Sequence, residues 1–167
     1  MDSDDWWEKD KLQIQIKVIN KSAATLCYGN YSFTSLTENG LKIILKRVVV
    51  PITTTYRQLL KRSRIWTGTV LIDTKKIDRN QIRMPDIKIG EDLILWLSIL
   101  KAGHKVIGVQ KNLAFYWRTN KDKTLSSNKK EAALARWSIY YEFEKLGFFR
   151  SLYHMYFYVF DAIMRRF

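Results

Sequence analysis

The chain has 167 residues, of which 47% are hydrophobic and 27% charged, and a formal net charge of +13. This length is enough for one folded domain with its own core, and the composition excludes a largely disordered protein. The single cysteine, Cys27, excludes an internal disulfide framework, and no stretch reaches the roughly 20 uninterrupted apolar residues of a membrane-spanning helix.

The first half of the chain alternates helical and strand patterns. Leu12, Ile16 and Ile19 recur at helical spacing and indicate an amphipathic helix. The segment around Asn39-Gly40 favours a tight turn between two strands. The elements predicted are a helix over 8–20, strands over 25–34 and 41–50, a short helix capped by Thr54 or Thr55 and reaching about 62, and a strand over 67–73.

The second half contains the clearest helix of the chain. Leu93, Leu97 and Leu100 share one helical face, and Gly103 supplies a stop signal. The order is mixed α/β, without the opening βαβ units that build a nucleotide-binding crevice. The elements predicted are a helix over 91–102, strands over 105–109 and 113–118, a polar loop over 119–128, and helices over 129–146 and 149–166 separated by Gly147.

An acidic motif, Asp2-Ser3-Asp4-Asp5, opens the sequence. Carboxylates at this spacing can converge on a hard divalent cation such as Mg²⁺ or Mn²⁺, which takes oxygen ligands. Such a cation would hold a diphosphate and neutralise the charge that develops on it as it leaves. Acidic residues ahead of a helix also complement the helix dipole, so the motif alone leaves both interpretations open.

Two further groups of residues can carry chemistry. Asp92 follows Glu91 at the start of the helix over 91–102, where a rigidly held carboxylate could accept a proton from a substrate hydroxyl. Acidic residues are also favoured in any first helical turn. In Tyr116-Trp117-Arg118 the arginine could clamp a phosphate while the aromatic rings stack on a sugar or base, although core aromatics at a strand end give the same pattern.

Taken together, these motifs resemble the family 2 glycosyltransferases of the GT-A fold, in particular the teichuronic-acid, capsule and O-antigen transferases. The resemblance covers nearly the whole chain, and the order and spacing of the motifs make it specific. The segments that carry it are Asp2-Ser-Asp-Asp-Trp6, Lys11-Leu-Gln-Ile-Gln-Ile-Lys17, Gly90-Glu-Asp-Leu-Ile-Leu-Trp-Leu-Ser-Ile-Leu-Lys-Ala-Gly103, Leu113-Ala-Phe-Tyr-Trp-Arg118 and Leu125-Ser-Ser-Asn-Lys129.

The resemblance implies a role for three carboxylates. Asp2 and Asp4 would bind Mg²⁺ or Mn²⁺ and, through it, the diphosphate of a nucleotide-sugar donor. Asp92 would be the general base that deprotonates a hydroxyl of a glycan or polyprenyl-linked acceptor. The reaction would be an inverting hexosyl transfer in cell-surface polysaccharide synthesis.

The resemblance also assigns binding roles. Glu91 and Trp96 would shape the acceptor pocket, and Arg118 would lie near the phosphates. One departure concerns Asn120, which stands where such enzymes often have a histidine that binds the metal, so the third metal ligand is open.

The fold that the resemblance implies is an α/β, partial GT-A fold. Residues 1–128 would form the acceptor-side part of the transferase domain, and residues 129–167 a C-terminal helical pair. Because Asp2 is the second residue, we expect this chain to lack the nucleotide-binding half that normally precedes the acidic motif. We therefore expect the isolated chain to be a fragment that is catalytically dead or very weak.

The C-terminal segment over 148–167 is rich in apolar and aromatic residues and is interrupted by Arg150, Arg165 and Arg166. This pattern fits a helix in the membrane interface, with its arginines on anionic lipid. Since no secretory signal opens the chain, we expect a cytoplasmic protein at the inner face of the plasma membrane. Packing of this helix on the domain or on another chain would fit the same pattern.

Two other classes of function fit part of the sequence. No acidic residue lies between Glu38 and Asp73, whereas this stretch contains seven basic residues, which would suit a nucleic-acid-binding module. The stretch has no helix-turn-helix pattern, zinc-ligand spacing or RNP-type aromatic motif, so we expect no nucleic-acid partner. A non-catalytic membrane-associated remnant is the second alternative.

Overall fold

The computed structural model describes residues 5–37, 39, 41–117 and 129–164. These residues form a mixed sheet with helices on both faces, so the predicted α/β class is confirmed. The strands are β1 (Trp6–Trp7), β2 (Leu26–Leu36), β3 (Lys42–Val48), β4 (Leu71–Ile72) and β5 (Val106–Trp117). The helices are α1 (Lys11–Ser22), α2 (Tyr56–Lys61), α3 (Glu91–Lys101), α4 (Lys129–Ser138) and α5 (Phe148–Met164), with short turns of 3-10 helix at Thr67–Thr69 and Arg79–Gln81 and of π-helix at Ile139–Phe143.

The sheet has the strand order β1-β5-β2-β3, and β4 pairs with β2. β2 and β5 are parallel, and the other pairs are antiparallel. Successive residues of a strand point to opposite faces of a sheet. Leu26 and Tyr28 therefore pack against α2 and α3 in the main core, whereas Cys27 packs against Ile19 of α1.

β5 replaces the two strands predicted over 105–109 and 113–118. Its partner register passes from Gly29 opposite Val109 to Asn30 opposite Asn112, so the polar residues between them form a bulge. The Gln110 amide there donates to the Val50 carbonyl at 2.7 Å. The prediction of a break was wrong because the polar segment is accommodated within one irregular strand.

The helix predicted over 8–20 is present as α1, but a different face of it is buried. Leu12 and Ile16 are 46% and 52% exposed, while Lys11 and Gln15 join Ile19 in the interior. The polar side chain of Gln15 can be buried because its amide donates a hydrogen bond to the Thr69 carbonyl at 2.8 Å. The strand predicted over 67–73 is a 3-10 turn followed by the two-residue β4.

The C-terminal helices pack on the main core. Ile139 and Tyr140 are fully buried, and the Tyr140 hydroxyl donates to the Leu60 carbonyl of α2 at 2.6 Å. The helix predicted over 129–146 divides into α4 and the π-helical turn, and Gly147, with φ +74, precedes α5. The division of the chain at residue 128 stays a prediction. None of the helices within the described ranges is long and apolar enough to cross a membrane.

Candidate functional site

Asp92 lies in the first turn of α3, and both of its carboxylate oxygens are held. The Thr67 hydroxyl donates to Oδ2 at 3.2 Å, and the Leu93 backbone N–H donates to Oδ1 at 2.7 Å. Gly90 caps the helix with φ +88, a conformation that favours glycine. A Cβ atom at this glycine would lie 2.6 Å from Cδ1 of Ile139, so Ile139 packs directly against the start of the helix.

The environment of Asp92 raises the pKa of its carboxyl group above the usual value. Partial burial is the main cause, and the neighbouring charge of Glu91 acts in the same direction. The hydrogen bonds from Leu93 and Thr67 and the positive charge of Arg136 oppose this rise. A carboxylate with a raised pKa binds a proton more strongly, which suits a general base provided that it remains ionised at the working pH.

The turn that carries Thr67 is attached to the N-terminal part of the chain. The Trp7 indole N–H donates to the Gly68 carbonyl at 2.8 Å, and the Gln15 amide donates to the Thr69 carbonyl at 2.8 Å. These two bonds join β1 and α1 to the turn whose hydroxyl contacts Asp92. The segment that follows the acidic motif and the start of α3 are therefore connected through one three-residue turn.

Lys11 brings a cation to the same region. Its side chain is 1% exposed, and its Nζ atom lies 4.2 Å from the centroid of the Trp7 ring. Within the described ranges this ammonium has no hydrogen-bond partner. Burial lowers the pKa of Lys11 below its usual value.

A cluster of four aromatic rings lies beside the Thr67–Thr69 turn. The Trp66 ring is 5.1 Å from that of Tyr31 and 5.3 Å from that of Tyr116, and Phe33 lies 5.4 Å from Tyr116. All four side chains are half-buried. Gly68 allows the packing, since a Cβ atom there would lie 2.7 Å from the Trp66 ring. The cluster therefore presents partly exposed ring surface next to the turn that holds Asp92.

Asp5, the last residue of the acidic motif, is anchored at the end of β5. Its carboxylate is largely buried and accepts the Trp117 backbone N–H at 3.0 Å. Trp6 next to it stacks on Phe115 with ring centroids 5.1 Å apart. The predicted metal ligands Asp2 and Asp4 lie outside the described residues. No group of three metal-ligating His, Cys, Asp or Glu side chains occurs in the described part of the chain.

The remaining predicted site residues have different positions. Glu91 is half-buried beside Asp92, and Arg118 lies outside the described residues. Trp96 is 2% exposed and belongs to the main core. From this position Trp96 supports α3 from the inside, and its predicted role in shaping the acceptor pocket stays a prediction.

The sequence did not point to Thr67, Trp7 or Gln15 as parts of the site. Thr67 was predicted in a strand, and Gln15 was a polar residue in a helix pattern. The hydrogen bonds from Trp7 and Gln15 to the turn span 61 and 54 positions of the chain. No local sequence pattern indicates contacts between residues so far apart in the chain. Of the residues described here, only those in the motif that contains Asp92 could be proposed from the sequence.

Comparison with known proteins gives three bacterial relatives, while no protein-family model matches the chain. The chain is 34% identical over 166 residues to a protein of Bacillus subtilis named as the teichuronic acid biosynthesis glycosyltransferase TuaG. It is 29% identical over 165 residues to an uncharacterized glycosyltransferase of Haemophilus influenzae. It is 31% identical over 143 residues to WfgD of Escherichia coli, a UDP-Glc:α-D-GlcNAc-diphosphoundecaprenol β-1,3-glucosyltransferase.

The matches cover 99%, 99% and 86% of this chain. They span only 63%, 63% and 53% of the relatives, so the chain corresponds to less than two thirds of the length of each.

Proposed function

We propose that this chain, a homologue of bacterial cell-surface glycosyltransferases, forms the acceptor-side part of an inverting hexosyltransferase with a partial GT-A fold. The observation that carries the proposal is the Asp92 carboxylate, held at a helix start by Thr67 beside the aromatic cluster. The donor is a nucleotide-sugar, and the acceptor is a glycan or a polyprenyl-linked sugar. The Escherichia coli relative is named for an acceptor of the second class, a diphosphoundecaprenol-linked sugar.

In the proposed reaction, ionised Asp92 accepts the proton of an acceptor hydroxyl. The hydroxyl oxygen forms a bond to the anomeric carbon of the donor sugar, and the bond from that carbon to the diphosphate oxygen breaks. The nucleoside diphosphate leaves with the bonding electron pair from the opposite face, so the configuration inverts. The hydrogen bonds from Thr67 and Leu93 fix the carboxylate, which lowers the entropic cost of reaching the reactive geometry.

Binding of the acceptor is assigned to groups around Asp92. Glu91 can accept hydrogen bonds from sugar hydroxyls, and the half-buried faces of Trp66 and Tyr116 offer apolar surface to a sugar ring. We assign binding of the metal and of the donor diphosphate to residues outside the described ranges. There, Asp2 and Asp4 would hold Mg²⁺ or Mn²⁺, which stabilises negative charge on the diphosphate, and Arg118 would lie near the phosphates.

The location proposed for the protein is the cytoplasmic, inner face of the plasma membrane. In this arrangement residues 1–128 carry the transferase site and the helices of 129–167 carry the membrane contact. The support is the exposed apolar surface of α5, whose Phe149 is 83% exposed. We expect no nucleic-acid partner.

The test is a chimaera in which the part of the Bacillus subtilis relative that has no counterpart here is joined to residues 1–167. Release of nucleoside diphosphate from a panel of nucleotide-sugars is measured with a lipid-linked acceptor extract. We expect turnover in the chimaera, a loss of at least about 100-fold with Asp92→Asn, and little change with the exposed control Asp86→Asn. Equal turnover by the Asp92 variant would exclude this residue as the base. A chimaera that folds and binds donor without any turnover would favour the non-catalytic remnant.

A further inference from the structure

One face of α5 is an exposed apolar stripe. Residues three and four positions apart lie on the same side of a helix, and six large side chains with this spacing cover an arc of about 100°. Two of them, Phe149 and Tyr156, are 83% and 65% exposed. The stripe consists of Phe149, Leu152, Tyr153, Tyr156, Phe160 and Ile163.

A basic pocket lies along one flank of the stripe, between α2 and α5. Its volume is about 460 Å³, and it is lined by Arg57, Lys61 and Arg150 together with His154 and Tyr153. Arg57 and Lys61 come from successive turns of α2, while Arg150 comes from the first turn of α5. Three cationic side chains from two helices therefore converge beside an exposed aromatic surface.

These cations are not neutralised by the carboxylates described nearby. Glu144 pairs with Lys101 at 3.1 Å and accepts the hydroxyl of Tyr56, and Asp161 pairs with Arg62 at 2.5 Å. In the part of the chain that the structure describes, none of the three pocket cations has an ion pair with a carboxylate. The pocket therefore retains an uncompensated positive charge.

Lys61 is held in place by aromatic rings. Its Nζ atom lies 4.5 Å from the ring centroid of Phe157 and 5.2 Å from that of Tyr153. Contacts of this kind stabilise a cation without neutralising it. The pocket thus offers a positioned ammonium, which fits the oxygens of a phosphate group.

We propose that this pocket binds the phosphate of an anionic membrane lipid while the α5 stripe lies in the interface of the bilayer. An interfacial helix places its apolar face at the boundary between headgroups and acyl chains, so cations on its flank lie at phosphate depth. Aromatic side chains with a polar tip, such as Tyr153 and Tyr156, suit that boundary. The inference rests on the membrane location proposed above and is independent of the sugar-transfer reaction.

The experiment is co-sedimentation of the 167-residue chain with vesicles of phosphatidylcholine alone or mixed with phosphatidylglycerol. The pocket variant combines Arg57→Gln, Lys61→Gln and Arg150→Gln. We expect its affinity for the mixed vesicles to fall about 100-fold, roughly fivefold for each charge removed. The control Lys17→Gln/Lys21→Gln removes exposed charge from α1, on the opposite face of the sheet, and should change the affinity less than twofold.

A stripe variant, Phe149→Ser/Tyr156→Ser, tests the membrane location separately from phosphate binding in the pocket. Both side chains are exposed, so folding should be retained, and circular dichroism checks this for every variant. Loss of binding in the stripe variant but not in the pocket variant would overturn the phosphate pocket and leave the membrane location standing. A loss in the α1 variant of the same roughly fivefold per charge removed would show attraction by net charge alone and would overturn the pocket. Binding of inorganic phosphate at the pocket without any affinity for vesicles would also overturn the proposal.

Discussion

The Thr67 hydroxyl donates a hydrogen bond of 3.2 Å to the carboxylate of Asp92, a residue 25 positions further along the chain. Thr67 itself belongs to a turn that Trp7 and Gln15 hold from the N-terminal side. The carboxylate of the proposed base is thus linked through this turn to the segment that follows the acidic motif. Changes in this segment should alter the titration of Asp92 without direct contact.

Thr67→Val should raise the pKa of Asp92 further. The Thr67 hydrogen bond stabilises the carboxylate and opposes the effect of burial, so its removal favours the protonated form. Thr67→Ser keeps the hydroxyl and should leave the pKa near that of the parent chain. Carbon-detected NMR titration of the aspartate carboxyl groups measures both variants. An unchanged titration of Asp92 in Thr67→Val would show that the hydrogen bond has no energetic role.

Trp7→Phe should raise the same pKa through the turn. The substitution removes the indole N–H that donates to Gly68 and keeps an aromatic ring beside Lys11. We expect a loss of about 1 kcal/mol in the free energy of unfolding, from one hydrogen bond. Because both changes act through the Thr67 hydroxyl, the double variant Trp7→Phe/Thr67→Val should titrate like Thr67→Val alone. Additive pKa shifts in the double variant would contradict this route.

Relative to the parent chain, the Asp92→Asn variant should become more stable as the pH rises. The pKa of Asp92 is raised in the folded protein, so the unfolded parent chain loses its proton first as the pH rises. Between the two pKa values the unfolded state is therefore stabilised relative to the folded state. The stability of the variant relative to the parent should increase from about pH 3.8 upward and level off above the raised pKa. Urea unfolding at several pH values gives this difference.

The Asp10→Asn variant is a control whose stability relative to the parent should change with pH in the opposite direction. The hydrogen bond from Lys111, 2.9 Å long, is the main cause that lowers the pKa of Asp10. That carboxylate therefore stabilises the fold above its ordinary pKa, and the contribution is lost as the pH falls through the lowered value. The Asp10 variant should thus become less stable relative to the parent as the pH rises. The same sign for both variants would contradict the two assigned environments.

Gly90→Ala should destabilise the start of α3 by about 3 kcal/mol, since it combines a positive φ with overpacking. The clash is with Cδ1 of Ile139, an atom that Ile139→Val removes. The double variant should therefore lose about 1 kcal/mol less than the sum of the single losses. Gly147→Ala, with φ +74 and nothing within 4 Å, isolates the backbone cost. Strict additivity in thermal or urea unfolding would show that Ile139 does not constrain this helix start.

Much of the secondary structure follows from local sequence. The α3 helix begins at Glu91 as predicted and ends one residue before the predicted end, and Thr55 caps α2 through a capping box with Gln58. These elements depend on periodicity and on residues only a few positions apart. The buried face of α1 could not be predicted in this way, because the interior accepts Lys11 and Gln15 through contacts with Trp7 and Thr69.

The candidate site was predicted only in part. The resemblance pointed to Asp92 and Glu91, and both lie at the start of α3. It also gave Trp96 a role in shaping the acceptor pocket, and the structure places this residue in the main core. A tryptophan in an apolar helix gives no sequence signal that separates a pocket wall from a core residue. Thr67 could not be predicted either, since its role depends on a turn that is placed by the tertiary fold.

The central claim is that the N-terminal acidic motif and Asp92 belong to one cleft. Paramagnetic broadening of the backbone NMR signals by Mn²⁺ tests this directly. We expect Mn²⁺ to broaden the signals of Thr67, Gly68 and Asp92, and we expect Asp2→Asn/Asp4→Asn to abolish the effect. Broadening that spares these three residues, or that persists unchanged in the double variant, would contradict the account.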